Sequence, residues 1–226
     1  MFTGFSDSTV EFFLELRFHN NHTFFAENHD RYVQCVQTPF YELINQLSET
    51  ARGIDPLMET RPYKCLSRIH RDTRFSKDKS PYRDHLWFLF KRAGEPREGS
   101  INYYFEFGPD RLGWGMGFWG ENKPVMDVFR KQIAADSGRI ESLLKSCDFR
   151  RNRILMGNSF YKRIDIPSGI PADLIPWYTT KEIYLFKDNP ERKLAFSPEL
   201  PMIIGNDMMA IAPLYRHLRG IYDDLS

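Results

Sequence analysis

Residues 61 to 83 hold the densest chemistry in the chain. Eight Lys and Arg (61, 64, 68, 71, 74, 77, 79 and 83) stand against Asp72 and Asp78, a local charge of +6 in a chain whose net charge is +1. Guanidinium forks bind phosphate or carboxylate through paired hydrogen bonds, and lysines add point charges. A polar loop such as Ser76 to Ser80 adds backbone N–H donors. The composition points to a small anionic ligand held by Arg68, Arg71, Arg74, Lys79 and Arg83, with Tyr82 or His70 donating a hydrogen bond. Asp72 is the candidate general base or the group that orients an arginine, and His70 is the second catalytic candidate. If the strand through Ser67 continues, alternation places Arg68, His70, Asp72 and Arg74 on one face and Ile69, Arg71, Thr73 and Phe75 on the other.

The same residues admit two other readings. In one, Arg68, Arg71 and Arg74 pair with Asp72, Asp78 and Asp84 or sit at helix C-termini, so the segment is a structural salt-bridge network. In the other, the patch and nearby sheet aromatics form a nucleic-acid-associated module. A near-neutral total charge, with a pI near 7.7, disfavours nucleic acid and anionic membranes, because the molecule as a whole exerts no attracting field.

The elements that must position this segment follow from the pattern around it. The chain has 226 residues, 42% hydrophobic and 27% charged, with mean hydropathy −0.50, which is globular and excludes disorder, collagen and coiled coil. Its length is ample for a self-sufficient core. Cys35, Cys65 and Cys147 form no C-x-x-C pair, which argues against a disulfide framework or zinc ribbon and for a reducing, cytoplasmic setting. The first residues, Met1 to Asp7, lack a basic region followed by an apolar run, so no signal peptide is expected. No apolar run is long enough to span a membrane.

Ser6 or Asp7 caps a first helix that ends near Asn20-Asn21, and a second starts at His22-Thr23. From Tyr32, Val33, Val36, Phe40, Leu43, Ile44 and Leu47 recur at three and four, predicting a long one-sided helix with a kink or break near Thr38-Pro39. Gly53, Asp55 and Pro56 stop it. Between 63 and 119, runs at Tyr63 to Ser67, Leu86 to Phe90, Ile101 to Phe107 and Leu112 to Trp119 predict about four meandering antiparallel strands. Gly94 to Gly99 and Gly108-Pro109-Asp110 connect them. A helix starts at Pro124 and ends at Gly138, and another runs to about Cys147. Residues 148 to 170 read as irregular. A short helix after Pro171, a strand from Glu182 to Phe186 and a helix from about Asp207 to Asp223 close the chain. The expected fold is α+β, an antiparallel meander flanked by N-terminal and C-terminal helices, with residues 1–226 as one domain.

Arg68-Ile69-His70-Arg71-Asp72-Thr73-Arg74-Phe75-Ser76-Lys77-Asp78-Lys79-Ser80-Pro81-Tyr82-Arg83 resembles the signature of a widespread microbial family, domain of unknown function 2461. Asn20-Asn21 with Phe24-Phe25, Tyr103-Tyr104, and Arg130 with Ile133 extend the resemblance over most of the chain. His70 stands where the family more often has Tyr, and Phe25 where it more often has Trp. The resemblance implies a shared fold and a shared segment and assigns no reaction.

Several motifs are weaker than they look. His70-Arg71-Asp72 mimics a kinase catalytic loop, but the Asn required five residues after the Asp is Lys77. Gly115-Met116-Gly117-Phe118-Trp119-Gly120 fits G-x-G-x-x-G, yet a strand runs through it, so tight packing against a helix is expected rather than a dinucleotide loop. His19, His22 and His29 are spaced for a metal, but Asn20-Asn21 breaks the helix between them. Basic charge around His70, Asp72 and Asp78 opposes a bare cation, so a metal is expected there only together with a phosphate and none is assigned. Trp114, Phe118, Trp119, Tyr103, Tyr104 and Phe105 read as a packed sheet face. Any of them exposed beside the basic segment would offer a stacking surface.

Overall fold

The computed structural model describes residues 1–225. Helix α1 (Asp7–Phe18) starts at Ser6, whose backbone N–H donates to Thr9 Oγ1 at 3.2 Å. Helix α2 (His22–Glu27) starts at Asn21, whose Oδ1 accepts the Phe24 N–H at 2.9 Å, as the Asn20-Asn21 break predicts.

Helix α3 (His29–Tyr32) runs through a π-helical turn, Val33–Gln37, into α4 (Thr38–Ile54). The break expected at Pro39 is therefore replaced by a widened turn just before it. Pro39 cannot donate to Cys35, four residues back. Instead the Thr9 hydroxyl donates to the Cys35 carbonyl at 2.6 Å, so a side chain from α1 satisfies that acceptor. The predicted face of α4, including Phe40, Leu43, Ile44 and Leu47, is buried.

Tyr63 to Ser67 does not form the expected first strand. Pro62 opens a helical turn, α5 (Pro62–Cys65), because its missing N–H and fixed φ suit a first turn. Strands β1 (Leu86–Phe90), β2 (Ile101–Gly108) and β3 (Arg111–Phe118) then form the expected meander, with Pro109 and Asp110 as the two-residue link between Gly108 and Arg111. Helices α6 (Lys123–Ala135) and α7 (Ser137–Lys145) are parted at Asp136 rather than at Gly138, because the Asp136 carboxylate caps α7 by accepting the Arg139 N–H at 3.0 Å.

Strand β4 (Ile154–Met156) lies inside the segment expected to be irregular. Helix α8 (Ile175–Thr179) and strand β5 (Tyr184–Lys187) follow as expected. The last helix, α9 (Leu200–Leu225), begins earlier than predicted, with Pro201 in its first turn, where no N–H is needed. Gly205 of α9 faces Leu47 and Thr50 of α4, where a Cβ would make only an ordinary contact, 3.4 Å from Thr50 Oγ1.

The sheet order is β1-β2-β3-β5-β4, all antiparallel, so the fold is α+β with flanking helices. One face carries Ile101, Tyr103, Phe105 and Phe107 into the core, where Phe5 and Phe40 meet Phe105 and Tyr215 of α9 meets Tyr103. The register puts Asn102, Tyr104 and Glu106 on the other face, opposite Gly117, Gly115 and Gly113. A Cβ at Gly117 would lie 2.5 Å from the Ile183 carbonyl oxygen, and one at Gly115 would fall nearer still to that of Leu185. The G-x-G-x-x-G stretch is thus tightly packed strand, and its close partner is the β5 segment rather than the expected helix. The three cysteines are free. Among the described residues no helix is long and apolar enough to cross a membrane.

Candidate functional site

The basic segment leaves α5 and returns to β1 as an irregular hairpin. The Ser67 N–H donates to Trp87 O, the Arg83 N–H to Ile69 O and the Arg71 N–H to Pro81 O, each at 2.8 Å. Ile69 is buried and anchors the outgoing arm, while Arg68, His70, Asp72 and Arg74 are exposed, as alternation predicts. Alternation ends with the pairing. Phe75, expected on the inner face, is 94% exposed at the tip.

An open cleft of about 730 Å³ lies between this segment, β1 and the loop after it. Arg68, His70, Arg71, Asp72, Arg74 and Arg83 line it. Lys79 and Tyr82 do not. Lys79 Nζ donates to Thr73 O at 2.9 Å and so closes the hairpin tip. Tyr82 points into the molecule, stacked 4.3 Å from Phe25, with a 2.9 Å hydrogen bond between its hydroxyl and His22 Nδ1. Asn20 fixes its backbone, giving and receiving a hydrogen bond with the Tyr82 main chain. The Asn20-Asn21 and Phe24-Phe25 stretch and the basic segment thus meet at Tyr82. His70 packs on the same group, 5.0 Å from Tyr82 and 5.9 Å from Phe25.

The arginines fall into two classes. Arg74 pairs with Asp72 at 2.7 Å, and Arg71 pairs with Asp78. Hydrogen bonds from Arg74 hold the Asp72 carboxyl at about 2, and those from Ser80 and Arg71 do the same for Asp78. A carboxylate that binds its proton so weakly is a poor base near neutrality, and the Asp72 geometry favours orienting Arg74. Asp84, offered to the segment's arginines by sequence, pairs with Arg17 at 2.8 Å and with His85.

Arg83 differs. Its Nε is buried with no hydrogen-bond partner, and its guanidinium carbon lies 4.7 Å from the Trp87 ring centre. Arg97 adds a second guanidinium, 5.1 Å from Trp87 and 3.6 Å from Trp119. Neither has a carboxylate partner among the described residues. Burial lowers the pKa of Arg83, and repulsion from Arg71 adds to this while Asp72 partly offsets it. Arg97 is lowered by burial and then by Arg83. Both remain cationic at physiological pH, so the protein holds desolvated like charges together without a counter-ion of its own.

Sequence reasoning placed Arg68, Arg71, Arg74 and Arg83 at one cleft and missed Trp87 and Arg97. Arg97 lies in the Gly94 to Gly99 connection, and both glycines have positive φ, which shapes the loop that brings it back over the sheet. Trp87 was legible as the outward-facing position of the run Leu86 to Phe90. Of the predicted core aromatics, Trp114, Phe118, Tyr103 and Phe105 are buried, whereas Tyr104 is half-buried on the outer face and Trp119 is 41% exposed beside the basic segment. Among the described residues no group of three His, Cys, Asp or Glu is placed to hold a metal ion.

No curated protein and no solved structure matches this chain. The family described as "Conserved hypothetical protein (DUF2461)" matches residues 8–217 of the 226. That span runs from α1 into α9 and includes every residue of the cleft. The chain belongs to the DUF2461 family.

Proposed function

We propose that the cleft binds the phosphate or carboxylate group of a small molecule, with Arg83 and Arg97 as its principal charges and Arg68, Arg71 and Arg74 around them. The observation that carries this reading is the unpartnered, buried Nε of Arg83 beside a second guanidinium that also lacks a carboxylate. A structural salt-bridge network would pair those charges, as it does for Arg219 with Asp223 and with Glu95, two residues from Arg97 in the same loop. An anion entering the cleft supplies the missing counter-charge and accepts from the accessible end of the fork. Asp72 holds Arg74 at the rim, and His70 stands at the cleft edge as a donor.

Titration calorimetry with inorganic phosphate, pyrophosphate and citrate on the wild type and on Arg83→Met tests the reading. Saturable binding by the wild type, weakened at least ~10-fold in a folded Arg83→Met variant, is expected for loss of a charge-assisted pair. Equal binding by the two proteins, or none by the wild type, overturns it.

A further inference from the structure

A second cavity, of about 410 Å³, opens on the outer face of the sheet and shares two wall residues with the first, Arg83 and Trp87. Four more aromatic residues, Tyr104, Phe118, Trp119 and Tyr184, line it together with polar side chains. Tyr104 and Tyr184 stack 5.4 Å apart at 14°, and Trp119 lies 6.2 Å from Trp87 at 22°. Gly117 also lines the cavity, so no side chain fills the position opposite Asn102. Near-parallel rings beside an open space suit a flat ring.

Two of the polar groups in this cavity, Asn102 and Glu106, offer acceptors, while Arg83 and Arg111 supply donors at its edges. Asn102 is 3% exposed, spends its Nδ2 on Ser100 O at 3.2 Å, and has no partner for Oδ1 among the described residues. Glu106 stands opposite Trp87 in the register, and its one ion pair among the described residues is a long contact to Arg111 at 3.7 Å. An amide oxygen without a partner and a half-buried carboxylate ask for N–H donors on the ligand. The volume lies within the range of small-ligand sites.

We infer that the ligand is a nucleoside monophosphate with an amino-bearing base, its phosphate on Arg83 and Arg97 and its base in the aromatic cavity. The inference rests on the anion reading above and extends it, because Arg83 and Trp87 belong to both spaces. A 5′-phosphorylated end of a nucleic acid carries the same chemistry. The near-neutral net charge favours the free nucleotide.

The experiment is calorimetry on the full chain with four probes: inorganic phosphate, ribose 5-phosphate, adenosine 5′-monophosphate and a 5′-phosphorylated tetranucleotide. Base stacking predicts that adenosine monophosphate binds at least ~10-fold more tightly than ribose 5-phosphate. In Asn102→Ala and in Tyr184→Leu that ratio should collapse toward one, and ribose 5-phosphate binding serves as the check that each variant is folded. Equal affinity of ribose 5-phosphate and adenosine monophosphate for the wild type overturns the base subsite and leaves the anion reading standing. Binding of no phosphate compound overturns both. A tetranucleotide at least as tight as the mononucleotide overturns the free nucleotide as the source.

Discussion

Arg83 lays its guanidinium 4.7 Å from the Trp87 ring centre while its Nε, buried, meets no acceptor. Stacking returns only part of what desolvation costs, so the side chain is not optimised for stability. Arg83→Met keeps an unbranched chain against the indole and removes the charge. The ligand-free variant should melt at or above the wild-type temperature. Arg219→Met, which strips Asp223 and Glu95 of a partner that is 5% exposed, should lose ~3–5 kcal/mol. Denaturant melts of the two variants make the comparison. A loss at Arg83 as large as at Arg219 would assign Arg83 to the scaffold.

Asp72 and Asp78 are the local competitors of any anion, since each occupies a cleft arginine. Both carboxyls sit at about 2 and are ionised throughout the ordinary pH range. Asp72→Asn and Asp78→Asn remove a negative charge and release Arg74 or Arg71. Each should tighten inorganic phosphate binding by about threefold to tenfold at low salt, and less at moderate salt, where exposed charges are screened. Calorimetry at two ionic strengths checks both statements. Weaker binding in these variants would mean that the ion pairs hold the arginines in the binding geometry.

What was legible in the sequence was whatever rests on neighbours along the chain. The three-stranded meander, the face of α4 and the start of α2 at His22 follow from spacing and local breaks, and all three are present. Tyr63 to Ser67 misled because its apolar alternation imitates a strand, while Pro62 commits the backbone to a helical turn. The cleft was half legible. The arginines of one segment can be seen together, but which of them are paired depends on folding. Asp72 turns back onto Arg74, Asp84 is taken by Arg17 from α1, and Arg97 arrives from a separate loop. Tyr82 was read as facing a ligand, yet Phe25 and Asn20, some sixty residues earlier, draw it inward.

Gly115 and Gly113 lie on the same strand face and should respond differently to a methyl group. A Cβ at Gly115 would fall far inside van der Waals contact with the Leu185 carbonyl oxygen, on a strand that cannot move without breaking its pairing to β3. Gly113 has only the Glu106 side chain near, at 3.6 Å. Gly115→Ala should cost about 3 kcal/mol through overpacking, whereas Gly113→Ala should be near neutral. Chemical denaturation of both variants decides it. Equal effects would mean that β5 does not press on β3 as described.

His217 joins α9 to α6 and gives the molecule an acid-sensitive contact. Its Nε2 and Gln132 Oε1 are 2.7 Å apart, and its ring lies 6.0 Å from Phe129. Burial, and then the charge of Arg139, push its pKa below the ordinary 6.5. The folded state therefore releases this proton more readily than the unfolded chain. The unfolded chain binds more protons as pH falls through 6.5, so the contribution of His217 to stability is complete above that value and is lost progressively below it. His217→Leu removes the titration while keeping an apolar side chain against Phe129. Between pH 7.5 and pH 5.5 the wild type should lose more stability than the variant, the remaining histidines being common to both. Urea melts at the two pH values measure the difference. A variant that loses as much as the wild type would show that His217 takes up its proton in the folded state as freely as in the unfolded one.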